Sequence, residues 1–454
     1  MSFKELREKY DTFVYDSYDI EDKHDNLVIT YNFDIPKLMS FHPQLIIPKK
    51  FITNEKIDYK FRDNLIFQIG LVEMISYYKC CCSPKIVVRA GYLDYEQIEF
   101  FRKLFYYGLG EFFYVNGISI ELDDLFMMEC LGERLPNKDL DFVGKGILVP
   151  VGGGKDSCVS LEILKNYDSY PVIQNPKDVE INCVKAASID LEKLIVFERT
   201  IEKEKFKLLE EEGFLNGHTP FSALLAFQLY LVAYLSGKKY IALSNENSAN
   251  EGTVIGTKTN HQYSKTFEFE RDFNNYVNSY LQVDVHYFSF LRALSEYQIG
   301  MLFSHYEKYH SVFKSCNVGS KNKEWNWCGS CPKCLFVFII LSPYLYKDKL
   351  VNIFKKDLFR DQELLPILKE LLGETGVKPF ECVGEVEEVK YALALCLRKY
   401  GRDNLPCLLE YFKENYLDKL DSYLDYDLEH RFNTYNLIPK KFQEILQKEL
   451  DKYV

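Results

Sequence analysis

Residues Gly152-Gly153-Gly154-Lys155-Asp156-Ser157 combine three glycines with an ammonium, a carboxylate and a hydroxyl. The apolar run Ile147 to Val151 precedes them and a helical pattern from Cys158 to Lys165 follows. A strand, a glycine turn and a helix start make a phosphate-binding arrangement. Glycine lets backbone N–H groups approach an anion, and the helix N-terminus adds the positive end of its dipole. The order of residues excludes a Walker A loop, which needs Ser or Thr directly after the lysine, where Asp156 stands here. In this reading the backbone amides of Gly152 to Gly154 and the Ser157 hydroxyl hold phosphate oxygens. Lys155 neutralises phosphate charge, and Asp156 binds Mg²⁺ directly or through water.

A second constellation is Cys328-Gly329-Ser330-Cys331-Pro332-Lys333-Cys334, with Cys316 upstream. Four thiolates at this spacing suit one tetrahedral Zn²⁺. An iron–sulfur cluster uses the same donors and stays open as an alternative. A closed four-cysteine zinc site leaves no position for substrate, so zinc here would be structural. Cys80-Cys81-Cys82 and Cys158 read as ordinary thiols of the core or surface.

The third is polar: Ser244-Asn245-Glu246-Asn247-Ser248-Ala249-Asn250-Glu251-Gly252, continuing to Asn260-His261-Gln262-Tyr263-Ser264-Lys265. Polar composition alone describes a solvated loop. This segment, however, follows a strand-like run and concentrates carboxamide, carboxylate, imidazole and ammonium groups. If helical, His261 and Lys265 would share one face. Isolated histidines such as His218, His286 and His305 read as structural.

The elements that must position these groups alternate. Gly146–Val151, Tyr170–Gln174, Leu194–Phe197, Lys239–Ser244 and Val283–Phe288 read as strands, with Phe221–Leu235 the clearest intervening helix. Such alternation predicts an α/β core with a parallel sheet, ligands binding beyond the carboxyl ends of strands at the switch point. Before this core, strand-like runs (Asn26 to Phe33, Lys85 to Ala90) and helices (Asp63 to Tyr78, Tyr95 to Tyr107) suggest an α+β domain. Gly108 to Phe113 reads as a helix stop and a new start. Pro136-Asn137-Lys138-Asp139 marks the boundary. After the core come helical, charged stretches: Gln362–Leu372, Glu385–Arg398, Leu405–Leu417 and Pro439–Tyr453. The expected division is 1–140, 141–345 and 346–454, the last a helical cap.

A chain of 454 residues exceeds one core, and 47% hydrophobic content supports more than one. A net charge of -11 argues against non-specific nucleic-acid binding. The 34 Phe and 34 Tyr read as core material and not as a stacking surface for bases. The charged start Met1-Ser2-Phe3-Lys4-Glu5 is no signal peptide, and no uncharged apolar run is long enough to span a bilayer. Thirteen cysteines in clusters favour metal binding over disulfides. Together these describe a soluble, cytoplasmic protein.

The glycine loop resembles the Ser-Gly-Gly-x-Asp-Ser signature of the ATP pyrophosphatase (PP-loop) superfamily, with Gly152 in place of the serine. A wider set of segments is more specific. It comprises Gly110-Glu111-Phe112-Phe113-Tyr114-Val115-Asn116-Gly117, Pro150 to Ser157, Ser244 to Glu251, Asn260 to Lys265, Trp327-Cys328-Gly329 through Phe338, and Phe380-Glu381-Cys382-Val383-Gly384. Together they resemble the MurL family of ATP-dependent UDP-N-acetyl-α-D-muramoyl-L-alanyl-L-glutamate epimerases, in which the glycine triplet is at home. The resemblance implies an adenine nucleotide alpha hydrolase-like core that binds ATP and Mg²⁺ through Gly152, Gly153, Gly154, Lys155, Asp156 and Ser157. Asn245, Glu246, Asn250 and Glu251 would line the substrate or metal side. His261, Lys265 and Glu251, with Lys155 and Asp156, would be the catalytic candidates, and Cys316, Cys328, Cys331 and Cys334 would hold zinc. The implied partner is a UDP-linked muramoyl dipeptide, and neither nucleic acid nor membrane.

Two rivals share some of these features. Enzymes of the 7-cyano-7-deazaguanine synthase type also pair a pyrophosphatase loop with a four-cysteine zinc site, but are much shorter and leave both ends of this chain unexplained. A zinc-stabilised nucleotide-binding module without catalysis would bind ATP and form no AMP.

Overall fold

The computed structural model describes residues 1–250, 263–316, 318–319, 326–401 and 403–454. Its strands are β1 (Thr12–Asp22), β2 (Asn26–Ile35), β3 (Met39–Phe41), β4 (Gln44–Pro48), β5 (Lys85–Val88), β6 (Met127–Cys130), β7 (Ile147–Pro150), β8 (Ser169–Gln174), β9 (Ile195–Thr200), β10 (Tyr240–Leu243) and β11 (His286–Ser289). They form one sheet in the order β11-β10-β7-β8-β9-β4-β2-β1-β5-β6, with β3 beside β2.

The five strands expected for the core, β7 to β11, are all present and all parallel. Most of their buried positions are apolar, as parallel strands covered on both faces require, although β9 ends in the polar Glu198-Arg199-Thr200. Their order reverses at β7, which lies between β8 and β10. The crevice between the carboxyl ends of β7 and β10 is therefore the switch point. The glycine loop leaves β7 there, and the 244–250 segment leaves β10 there.

Side chains alternate across the sheet. Leu148, Val172, Ile241 and Tyr287 face a core shared with helices Tyr59–Glu73, Phe221–Leu235 and Phe267–Tyr280. Ile147, Val149, Ile173, Ala242 and Phe288 face the other core, with helices Lys155–Leu164, Glu296–His305, Pro332–Leu341 and Val386–Tyr400. Helix Phe221–Leu235 has the range read from sequence, and is buried over most of its surface because it sits between the sheet and helix Tyr59–Glu73.

The amino-terminal region is not a separate sheet. β4 pairs antiparallel with β9, Leu45 opposite Arg199, so the sheet crosses the division placed at residue 140. Three antiparallel steps (β9 to β4, β4 to β2, β2 to β1) leave β1, β5 and β6 parallel to one another but running opposite to β7. Helix Tyr95–Gly108 follows β5 and packs beside helix Phe267–Tyr280. A helix returning after a strand ends on that strand's amino side. Glu111, just past it, thus emerges on the side of the β7 and β10 carboxyl ends. The expected start of the first long helix at Asp63 moves to Tyr59, because Asp58 caps it through the amides of Lys60 (2.9 Å) and Phe61 (3.1 Å).

The aromatic residues are core material, as expected. Phe13, Tyr15, Phe33, Tyr77 and Tyr78 are fully buried and in ring contact. Among the described residues no helix is long and apolar enough to cross a membrane.

Candidate active site

The phosphate loop has the backbone its glycines permit. Gly153 takes φ +76°, and a Cβ there would lie 2.7 Å from Val179 Cγ1. Only glycine fits both the dihedral and the space. Gly152 faces open space. Helix Lys155–Leu164 starts at Gly154 without a side-chain cap, so its first amides are open to a ligand. Ser157 Oγ donates to Gly154 O (3.0 Å). Near the loop, Gln174 Oε1 and Nε2 at the end of β8, and Ser315 Oγ, are buried with no hydrogen-bond partner. Orphaned polar atoms beside an uncapped helix N-terminus suit a polar anionic ligand such as a nucleotide.

Lys155 points inward. Its ammonium is fully buried and pairs with the carboxylates of Asp156 and Glu296. Burial opposes its charge, but these two carboxylates hold it above the ordinary lysine range. Burial also opposes the charge on Asp156, yet Lys155 and then Lys333 keep that carboxyl below its usual range. Glu296 is shifted up, chiefly by burial, against the pull of Lys155. Lys333 Nζ stands 3.9 Å from Glu296 Oε1. Glu388 completes this floor by accepting from the amides of Glu296 (2.6 Å) and Glu385 (2.6 Å). Burial, then the neighbouring Glu385 and Glu296, push Glu388 well up.

The polar segment after β10 is held by one buried arginine. Arg292 donates to Glu246 O (2.6 Å), to Lys265 O, and to Glu270 Oε2 (3.1 and 3.2 Å). Glu270 Oε1 in turn accepts from Ser289 N (2.8 Å). The segment thus leaves and re-enters the fold through a single guanidinium. Replacing Arg292 with methionine leaves Glu270 buried and unpaired, and should destabilise the protein by about 3–5 kcal/mol, read by chemical denaturation. A change below about 1 kcal/mol would refute the clamp.

Asn245 Nδ2 donates to Ser289 Oγ (3.1 Å), and Asn250 Oδ1 accepts from Phe267 N (2.7 Å). Both use side-chain atoms to fasten the segment. Glu246 is buried, with Ser248 Oγ at 3.5 Å. Lys265 ends a short 3₁₀ turn, Tyr263–Lys265, and its Nζ donates to Cys382 Sγ (3.1 Å). Cys382, against the opposing effect of burial, and then Glu246 and Asp156 hold Lys265 above the usual range. Glu251 and His261 lie outside the described residues.

The four cysteines converge. Cys316, Cys328, Cys331 and Cys334 place their sulfurs within 4.8 Å of one another. The sulfur–sulfur separations include 3.8 Å (316–331), 3.7 Å (328–334) and 3.5 Å (331–334). A tetrahedral zinc with ordinary Zn–S bonds requires about 3.8 Å between sulfurs. The donor set therefore fits a metal ion. Gly319 N lies 3.1 Å from Cys316 Sγ, an outer hydrogen bond of the kind that supports a thiolate ligand. Between the last two cysteines, Lys333 extends its ammonium to Cys382 O and towards Glu296. The cysteine cluster thereby braces the floor of the site. Cys80, Cys81, Cys82 and Cys158 are buried thiols.

Sequence reasoning missed Glu296, Lys333, Glu388, Arg292 and Gln174. Lys333 could have been flagged as the one cation inside the cysteine motif. The others carry no local signature.

The chain matches two family models, the MurL N-terminal domain over residues 4–290 and the MurL C-terminal domain over 312–421. Three relatives bear the name UDP-N-acetyl-alpha-D-muramoyl-L-alanyl-L-glutamate epimerase. The protein of Xanthomonas oryzae pv. oryzae is 35% identical over 72% of this chain and 73% of its own length. That of Salinispora tropica is 36% identical over 74% of each chain. That of a Micromonospora species is 34% identical over 72% of this chain and 73% of its own. No solved structure matches.

Proposed function

Because the chain belongs to the MurL family, we propose that it is an ATP-dependent epimerase that inverts the terminal L-glutamate of UDP-MurNAc-L-Ala-L-Glu to D-glutamate. The observation that carries this reading is the meeting, at one switch point, of a glycine phosphate loop with the Asp156, Glu246, Lys265 and Cys382 cluster. One element suits a nucleotide, the other proton transfer at a carboxylate-bearing substrate.

The chemistry needs that pairing. The α-hydrogen beside a free carboxylate is barely acidic, since its loss would create a dianion. Transfer of AMP to the carboxylate, with release of diphosphate, removes that charge. A side-chain base can then take the proton. Return of a proton to the other face and hydrolysis of the adenylate give the D-epimer and AMP. In this scheme the loop amides and Ser157 hold the phosphates. Asp156, held ionised by its lysines, binds Mg²⁺, which supplies charge neutralisation on the phosphates. Lys155, locked between Asp156 and Glu296, fixes the position of that carboxylate. The four cysteines hold a structural zinc. ATP and a UDP-linked precursor place the reaction in the cytoplasm.

The test is incubation with ATP, Mg²⁺ and UDP-MurNAc-L-Ala-L-Glu in D₂O. The expected products are AMP and a dipeptide carrying deuterium at the glutamate α-carbon. AMP without deuterium, or neither product, would refute the scheme.

A further inference from the structure

Lys265 and Cys382, from distant parts of the chain, meet near Asp156 of the phosphate loop, and Glu111 approaches Cys382 from the amino-terminal region. Cys382 lies on the loop before helix Val386–Tyr400, and its sulfur accepts from Lys265 Nζ at 3.1 Å. Lys333 holds the Cys382 carbonyl from the metal side. Glu111 comes from the amino-terminal region, in the first turn of helix Gly110–Val115. The contact between the two regions is direct: the Phe380 and Tyr114 rings lie 5.4 Å apart. Burial, and after it Cys382, push the Glu111 carboxyl up to about 7. His218 Nδ1 stands 3.3 Å from Glu111 Oε2.

The Lys265 ammonium offers a fixed positive charge to the Cys382 sulfur, and the thiolate is the form in which sulfur takes a proton. A carboxyl that can hold its proton near neutral pH is equally suited to donation.

We propose that Cys382 and Glu111 are the two acid/base residues of the inversion, acting on opposite faces of the glutamate α-carbon. This rests on the reaction proposed above. In the L to D direction the Cys382 thiolate takes the α-proton. The Cα–H bond breaks, an S–H bond forms, and the electron pair passes into the enolate of the acyl adenylate. Glu111 then gives its carboxyl proton to the other face, which restores a C–H bond and the acyl carbonyl. One proton leaves and one arrives, and nothing is oxidised or reduced. Lys265 balances the thiolate charge. The amino-terminal region thereby contributes half of the proton-transfer machinery.

The test follows deuterium entry, inversion and AMP release together, starting from the L-epimer with ATP in D₂O. In Cys382→Ser, deuterium entry per AMP released should fall roughly 100-fold or more. In Glu111→Gln, deuterium should still enter but with retention, so that inversion per exchange falls at least about 10-fold. Undiminished exchange per AMP in Cys382→Ser, or an unchanged ratio in Glu111→Gln, overturns the assignment of that residue. No AMP from the wild-type protein would instead overturn the reaction, and this assignment with it. Alkylation of the wild-type protein by iodoacetamide gives an independent reading. Exchange should be lost in step with carbamidomethylation of Cys382, located by peptide mass; full labelling with intact exchange refutes the role.

Discussion

Asp156→Asn lowers substrate-dependent AMP release by roughly 100- to 1000-fold, the scale set by removing one group that stabilises transition-state charge. The change is close to isosteric, so the local packing survives. Lys155 keeps Glu296 as a partner after the substitution, and the buried ammonium is not left alone. What is lost is the one negative charge of the loop, 24% exposed at its side chain, that can face a metal–nucleotide complex. The defect should therefore appear in turnover while the thermal midpoint shifts little. The measurement is diphosphate and AMP release at saturating ATP and Mg²⁺, with melting curves on the same samples. Wild-type AMP release by the variant would remove Asp156 from the mechanism.

The second large effect is loss of the metal. As purified, the protein should contain one zinc per chain. Cys334→Ser, or prolonged treatment with a strong chelator, should remove it and destabilise the chain by several kcal/mol. Structural zinc contributes about 10–16 kcal/mol in isolated zinc-finger peptides. Here the surrounding core retains part of the fold, so the measured cost is smaller, at least about 3 kcal/mol. AMP release should fall as well, because Lys333 sits between two of the ligands and reaches Glu296 and Cys382. Elemental analysis and thermal unfolding test this together. Cys334→Ser with full metal content and unchanged melting would show that the sulfurs are not ligands. Iron with sulfide in place of zinc would select the iron–sulfur alternative.

Why did some of this architecture read directly from the sequence and some not? The core strands and helix Phe221–Leu235 are runs whose apolar spacing matches one period along the chain. Their neighbours in sequence are their neighbours in structure, so the pattern is local. β1 escaped notice because its outer half, from Asp16 on, is largely exposed and acidic, and shows no clean alternation. β4 is short and ends at Pro48, which breaks the pattern of a strand. Continuity of the sheet through β4 and β9 rests on pairing across more than 150 positions, with His42 N reaching Glu202 at a separation of 160. No local rule encodes such a pairing.

The same division runs through the site. The sequence by itself determined the chemistry available at each position: glycines for a phosphate loop, four cysteines at metal-binding spacing, a polar segment after a core strand. These are properties of residue type and short spacing, and backbone stereochemistry makes them legible. Only the tertiary structure decided which groups act on one another. Lys155 meets Glu296 across 141 positions, and Lys265 meets Cys382 across 117. Glu111 joins them because an antiparallel meander reverses the direction of β5, so that the helix after it returns to the β7 side. Pair energies between charges depend on distance and burial, and those are set by strand order and helix packing.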